Sequence, residues 1–192
     1  MKIGIYGGSF NPIHFGHTGL AKWVLEHTDL DEVWLMVSPN NPLKDKSILA
    51  DEQERLAAAK EAIGDGILAI GNEAKGERRE ARSERREERG KRIRVSDFEF
   101  HLSRPTYTAN TMRALAREYP EHEFTLIIGE DNLCIFDKWR ESDYLLNQFR
   151  IFVYPRHGCP AYTIPPAKEM HILHNAPYFD ISSTELRKNL HK

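Results

Sequence analysis

Apolar residues recur along this chain in two rhythms, and their alternation predicts the architecture. Short unbroken apolar runs read as buried strands. These are the run around Ile3, Ile5 and Tyr6, residues 32–37 (EVWLMV), residues 124–128 (FTLII, stopped by Gly129) and residues 151–154 (IFVY, stopped by Pro155). Between them the spacing lengthens to that of a helix. Leu20, Trp23, Val24 and His27 follow His17 at helical intervals, residues 51–63 read as helical, and residues 108–119 place Met112, Leu115 and Ala116 on one face. A third strand is expected to begin near Ile93 and close on Phe98 and Phe100, and a last short one runs from Met170 to Leu173. Ser182 with Glu185 forms a capping box that opens a final helix. Strands alternating with helices require crossover connections, so the pattern predicts an α/β fold with a doubly wound parallel sheet.

Ligands of such sheets bind at the carboxyl ends of the strands. The loops at 7–17, 38–44, 129–139 and 155–158 all leave carboxyl ends, so they can converge on one cleft. The first is the most informative. Residues 3–17 read IGIYGGSFNPIHFGH, which packs a strand, a tight glycine loop and a helix start bearing His14 and His17 into fifteen positions. Bare amides and a helix N-terminus attract phosphates, and two imidazoles add donors there. The string lacks GxxxxGK[ST] and G-x-G-x-x-G, so it is neither a Walker A loop nor the dinucleotide fingerprint. The HxxH spacing could be half a zinc site, but Cys134 and Cys159 offer no matching ligand pair.

Bulk properties narrow the classes. The chain has 192 residues, enough for one domain with a substantial core, and 40% hydrophobic with 29% charged residues suits a globular protein. A formal net charge of −2 gives no global pull toward nucleic acid or anionic lipid, so neither is expected as a partner. Met1-Lys2 runs directly into a strand, no apolar stretch reaches membrane-spanning length, and two cysteines form no framework. These features predict a cytoplasmic setting. Residues 71–92 stand apart, with 15 charges in 22 positions and no large apolar side chain. Their charges mostly match in sign at i,i+4, which disfavours a helix without a partner, so a solvated insertion is expected.

The loop at 7–17 resembles the T/HxGH signature of the nucleotidylyltransferase superfamily, in the form GGSFNPIHxGH of the nicotinate-nucleotide adenylyltransferases. ISSTELR at 181–187 resembles the ISSTxxR signature of the same superfamily. The resemblance implies a Rossmann-like single domain over residues 1–192 and an enzyme of NAD biosynthesis. Such an enzyme joins ATP and nicotinate mononucleotide to give deamido-NAD and pyrophosphate, with Mg²⁺ on the ATP phosphates and no protein-borne metal site. It implies that His14 and His17 hold the α-phosphate, while Lys44 clamps phosphates. Arg187, with Ser182, Ser183 and Thr184 beside Ile181, would bind the β and γ phosphates. Gly8, Ser9 and Phe10 complete the ATP loop, Asp131 would take ribose hydroxyls, and Arg156 would lie near the adenine in a VxxRxG-like strand end. The segment 103–108 (SRPTYT) resembles RPxPSYTxDT, which sets Thr106, Tyr107 and Thr108 against the pyridine. Residues 129–133 with Lys138-Trp139 resemble GxDxL…KW, which sets Trp139 to stack on that ring.

Asn11 and Asn110 stand where the family often has Asp. The alternatives are a preference for nicotinamide mononucleotide and, from another class, a non-catalytic nucleotide-binding module; a homo-oligomer is left open. No acidic side chain is expected to stand beside Tyr107 and Thr108, so helix-start amides there are expected to favour the acid over the amide.

Overall fold

The computed structural model describes residues 1–39, 50–64, 91–156, 159, 163, 165–179, 183 and 186, with the backbone of 67–70. Its strands are β1 (Lys2–Gly8), β2 (Glu32–Val37), β3 (Ile67–Ile70), β4 (Lys91–Ser96), β5 (Glu123–Gly129), β6 (Arg150–Tyr154) and β7 (Glu169–Ile172). Its helices are α1 (Phe15–His27), α2 (Glu52–Ala62), α3 (Thr108–Glu118), the single turn α4 (Glu130–Leu133) and α5 (Ser142–Gln148). None of the described helices is long and apolar enough to cross a membrane.

The sheet order is β3-β4-β2-β1-β5-β6-β7. β4, β2, β1, β5, β6 and β7 run parallel, each paired in the same direction with its neighbour. The order reverses about β1, the doubly wound Rossmann-like arrangement. Two cores follow from the two faces of this sheet. Tyr6, Val33 and Leu35 pack with Leu20, Val24 and Leu25 of α1 and Leu56 and Ala59 of α2. On the other face, Ile3, Ile5, Trp34, Met36, Leu126 and Ile128 pack with Met112 and Leu115 of α3 and Leu145 of α5. β2 is buried at all six positions, which is why it reads as a continuous apolar run rather than an alternation.

Three sequence expectations are corrected. Ile67–Ile70 adds an unanticipated edge strand, antiparallel to β4, beside the six parallel strands. Four residues are too few to establish a period. The third expected strand ends at Ser96, and Phe98–His101 form a 3₁₀ turn instead. Phe98 and Phe100 imitate a strand in their sequence spacing, but Phe98 packs toward one core and Phe100 toward the other, whereas positions i and i+2 of a strand share a face. Finally, the charged segment does not extend to 92, because Lys91 and Arg92 open β4. Residues 71–90, and with them most of that expectation, lie outside the described residues. So does the expected capping box at Ser182 and Glu185. Ile70 pairs with Lys91, so the connection leaves the sheet at the amino-terminal end of β4, away from the carboxyl-end loops.

Arg92 has a defined task in the strand. The Glu32 carboxylate is buried at the start of β2, where Arg92 Nη2 donates to Oε1 at 2.5 Å and Trp34 Nε1 to Oε2 at 2.8 Å. Removing one partner of a buried carboxylate leaves an uncompensated charge. Arg92→Met is expected to lower unfolding stability by about 2–3 kcal/mol in urea denaturation. Glu32→Gln added to it should recover part of that loss, and a single-variant loss below about 0.5 kcal/mol would show that water replaces the guanidinium.

Candidate nucleotide site

The chain leaves β1 through a strained turn. Phe10 has a φ of 43°, in the left-handed region that a bulky side chain avoids. The strain is held by packing, because its ring is buried edge-on against Tyr6 (5.8 Å between centroids) and His17 (5.0 Å). His14 is the N-cap of α1. Its backbone N–H donates to His17 Nδ1 at 3.2 Å, and the rings lie 3.7 Å apart. With Nδ1 accepting, a neutral His17 carries its proton on Nε2, so that nitrogen is a donor. Burial, and then the nearby Arg156 charge, push the His14 imidazole below its ordinary pKa. The first turn of α1 carries no acidic residue to compete for its amides.

A buried arginine holds this turn from below. Arg55 on α2 donates to the Ser9 carbonyl at 2.5 Å, Ser38 at 2.9 Å, Pro39 at 3.1 Å and Ala50 at 3.1 Å. One guanidinium thus ties the loop after β1 to the loop after β2. Burial lowers its pKa, opposed by Glu52 and Asp51, but an arginine in a protein keeps its charge.

Beside the turn, at the carboxyl ends of β1 and β5 where the strand order reverses, opens a cavity of about 320 Å³. Ile5, Met36, Leu126 and Ile128 form its apolar wall. Gly8, Thr106, Tyr107, Thr108 and Trp139 all line it. Trp139 is half-buried, packs on Phe136 at 4.9 Å, and has an Nε1 without a hydrogen-bond partner among the described residues. Tyr107 is the N-cap of α3, whose first turn holds no acidic residue, and Arg140 lies 5.0 Å over its ring. Thr106 is buried.

Ser9, Phe10, His14, His17, Asp131 and Arg156 do not line this cavity but adjoin it. The rings of Tyr6, on the cavity wall, and His17 are 6.2 Å apart. The hydroxyl of Tyr6 lies 3.4 Å from that of Tyr154, the residue that leads into Arg156. Arg156 Nε reaches Asp131 Oδ1 at 3.5 Å, and its backbone N–H donates to Glu130. A Cβ at Gly129 would displace the free end of the Asp131 carboxylate and come within 3.1 Å of the Arg156 stem, so the loops after β5 and β6 meet closely over this glycine. Asn11 is buried at the turn, and its Oδ1 accepts from Ala50 at 3.3 Å, so an amide serves there. Asn110 is exposed and accepts from Arg113.

From the other end of the chain, Ser183 Oγ donates to the Pro12 carbonyl at 2.9 Å, which brings the second signature onto the first. Lys44, Ile181, Ser182, Thr184 and Arg187 lie outside the described residues.

Sequence reading missed two residues. Arg55 shares a buried helix face with Leu56 and Ala59, a charge on an apolar face being the available signal. Glu99 hides between two phenylalanines. It is buried, lines the cavity, and accepts from Ser38 Oγ at 2.7 Å and Thr111 Oγ1 at 2.8 Å. It also corrects the expectation that no acidic side chain stands beside Tyr107 and Thr108, since a neighbour in space need not be one in sequence.

Arg55→Met is expected to cost about 2–4 kcal/mol of stability, because several buried carbonyls lose a charged donor at once. Arg55→Lys should restore less than half, as an ammonium lacks the fork that spans four acceptors. Urea denaturation of both variants tests this, and an unchanged midpoint for Arg55→Met would remove the clamp from the argument.

The Cytidylyltransferase-like family matches residues 5–189. A Bacteroides fragilis protein named "Probable nicotinate-nucleotide adenylyltransferase" is 42% identical over 189 residues, covering 98% of this chain and 82% of that one. A Bacteroides thetaiotaomicron protein of the same name is 40% identical, covering 99% and 82%. Among solved structures, nicotinic acid mononucleotide adenylyltransferase of Plasmodium falciparum complexed with NaAD superposes with a TM-score of 0.72 at 20% identity, covering 97% of this chain and 82% of that one. The last likeness establishes the fold alone. Sequence identity over nearly the full length, with the loop of β1 and the cavity beside it, places the chain in the cytidylyltransferase-like family, among the nicotinate-nucleotide adenylyltransferases.

Proposed function

We propose that this enzyme transfers the adenylyl group of ATP to nicotinate mononucleotide, releasing pyrophosphate and forming deamido-NAD for NAD biosynthesis in the cytoplasm. The observation that carries the reading is the pairing of two sites at the switch point. A histidine-bearing phosphate turn follows β1, and an apolar, aromatic-lined cavity for a flat ring opens beside it. An oxygen of the mononucleotide phosphate attacks the α-phosphorus of ATP, and the bond to the bridging oxygen of pyrophosphate breaks. The acceptor phosphate is already a nucleophile, so no side chain need take its proton, and positioning with charge stabilisation supplies the catalysis.

His17 donates from Nε2 toward the α-phosphate, and the α1 amides add a preorganised positive end. His14 packs on His17 and fixes its ring. Arg156 and Asp131 close the adenosine side, with Gly8, Ser9 and Phe10 forming the floor. Lys44, Arg187, Ile181, Ser182, Ser183 and Thr184 would complete the triphosphate site. Thr106, Tyr107, Thr108 and Trp139 hold the pyridine. Mg²⁺, held by the triphosphate oxygens, would neutralise charge on the leaving pyrophosphate. The donors around the turn are imidazoles, amides and a guanidinium, which fits an ion that arrives with its own phosphate oxygens and waters.

His17→Ala is expected to lower kcat by about two to three orders of magnitude with an unchanged unfolding midpoint, the loss typical of one transition-state donor. Pyrophosphate release measures it, and near-normal turnover would take His17 out of the chemistry.

Nicotinate mononucleotide should be the better acceptor, because the free amides at the start of α3 and the Arg140 charge favour a carboxylate. The kcat/KM ratio against nicotinamide mononucleotide decides this. A ratio at or below one would assign the enzyme to the amide instead.

A further inference from the structure

The mechanism above leaves the buried charged group of the cavity without a task. Glu99 lies in the turn after β4, only 5% exposed, and lines the cavity. Ser38 Oγ donates to its Oε2 and Thr111 Oγ1 to its Oε1, and the Thr106 hydroxyl adds a third bond. Both oxygens accept, which is the pattern of an ionised carboxylate compensated by dipoles. Among the described residues no lysine, arginine or histidine pairs with it. Burial raises its pKa, and the three hydroxyls oppose that rise.

Joining Ser38, Thr106 and Thr111 does not require a charge. A buried amide could bond the same hydroxyls at a smaller desolvation cost. A carboxylate facing a cavity therefore points to a charge on the ligand. The apolar wall lowers the local dielectric and strengthens its field. The cavity's two basic residues, Lys138 and Arg140, are exposed at its rim. A buried negative charge and two exposed positive ones thus line the same cavity. A pyridine ring N-linked to ribose has the complementary charges, with a fixed positive charge on the ring nitrogen and anionic phosphate and carboxylate outside it.

We propose that Glu99 is a specificity-determining residue whose buried carboxylate, held by Ser38, Thr106 and Thr111, selects an acceptor with a cationic ring. The proposal rests on the acceptor reading above. Glu99 sets the requirement for ring charge, which both pyridine mononucleotides meet, while the start of α3 sets the choice between acid and amide.

The test uses the full chain with ATP and two acceptors. One is nicotinate mononucleotide, and the other is 3-carboxyphenyl C-riboside 5′-phosphate, which keeps the shape and loses the ring charge. Wild type is expected to favour the pyridinium by about tenfold or more in kcat/KM, as a nearby charge in an apolar wall would give. Glu99→Gln should bring the ratio close to one, chiefly by raising KM for nicotinate mononucleotide, with KM for ATP within about twofold of wild type. A wild-type ratio near one overturns the proposal whether or not the variant folds. Equal loss on both acceptors in Glu99→Gln also overturns it and leaves the residue a structural tie. Absence of wild-type turnover with nicotinate mononucleotide would instead overturn the acceptor reading.

Discussion

The parallel run of six strands is the constraint on which everything else depends. Parallel pairing cannot be closed by hairpins, so every strand must be followed by a return connection across a face of the sheet. All the carboxyl ends then lie along one edge. β1 stands between β2 and β5, where the order reverses and the returning connections diverge to opposite faces. The crevice opens there, and the turn carrying His14 and His17 borders it. Because both faces of the sheet are buried, a slip in register would expose one core or the other. The edge that carries the chemistry is therefore rigid where it is anchored.

Two buried charges complete that edge, and Ser38 joins them. Its carbonyl accepts from Arg55 and its hydroxyl donates to Glu99. The cation holds the turn after β1 and the anion lines the cavity, each held by neutral groups rather than by the other. Buried ions are costly unless their hydrogen-bonding capacity is met. Here several backbone carbonyls serve one and hydroxyls serve the other. The arrangement sets a buried positive charge at the turn after β1 and a buried negative charge at the cavity.

The Plasmodium falciparum structure shares the fold at 20% identity. The sheet needs apolar volume in the right pattern, whereas the site needs particular groups at particular strand ends.

The sequence by itself determined the strand-and-helix alternation and the histidine-bearing turn after the first strand. Each is a local consequence of apolar period, turn residues and strand direction, and β2 at Glu32–Val37 matches its expected bounds. Tertiary structure alone decided the rest. Phe98, Glu99 and Phe100 alternate like a strand, yet form a turn because the two rings serve opposite cores while the carboxylate meets hydroxyls from β2's end and α3. Arg92 belongs by composition to a charged run, but Glu32, sixty positions away, draws it into β4. Arg55 looks like any solvated helix arginine until four carbonyls from two loops surround it. In each case the partner is remote in the chain, and a buried charge has its meaning only from what the fold sets beside it.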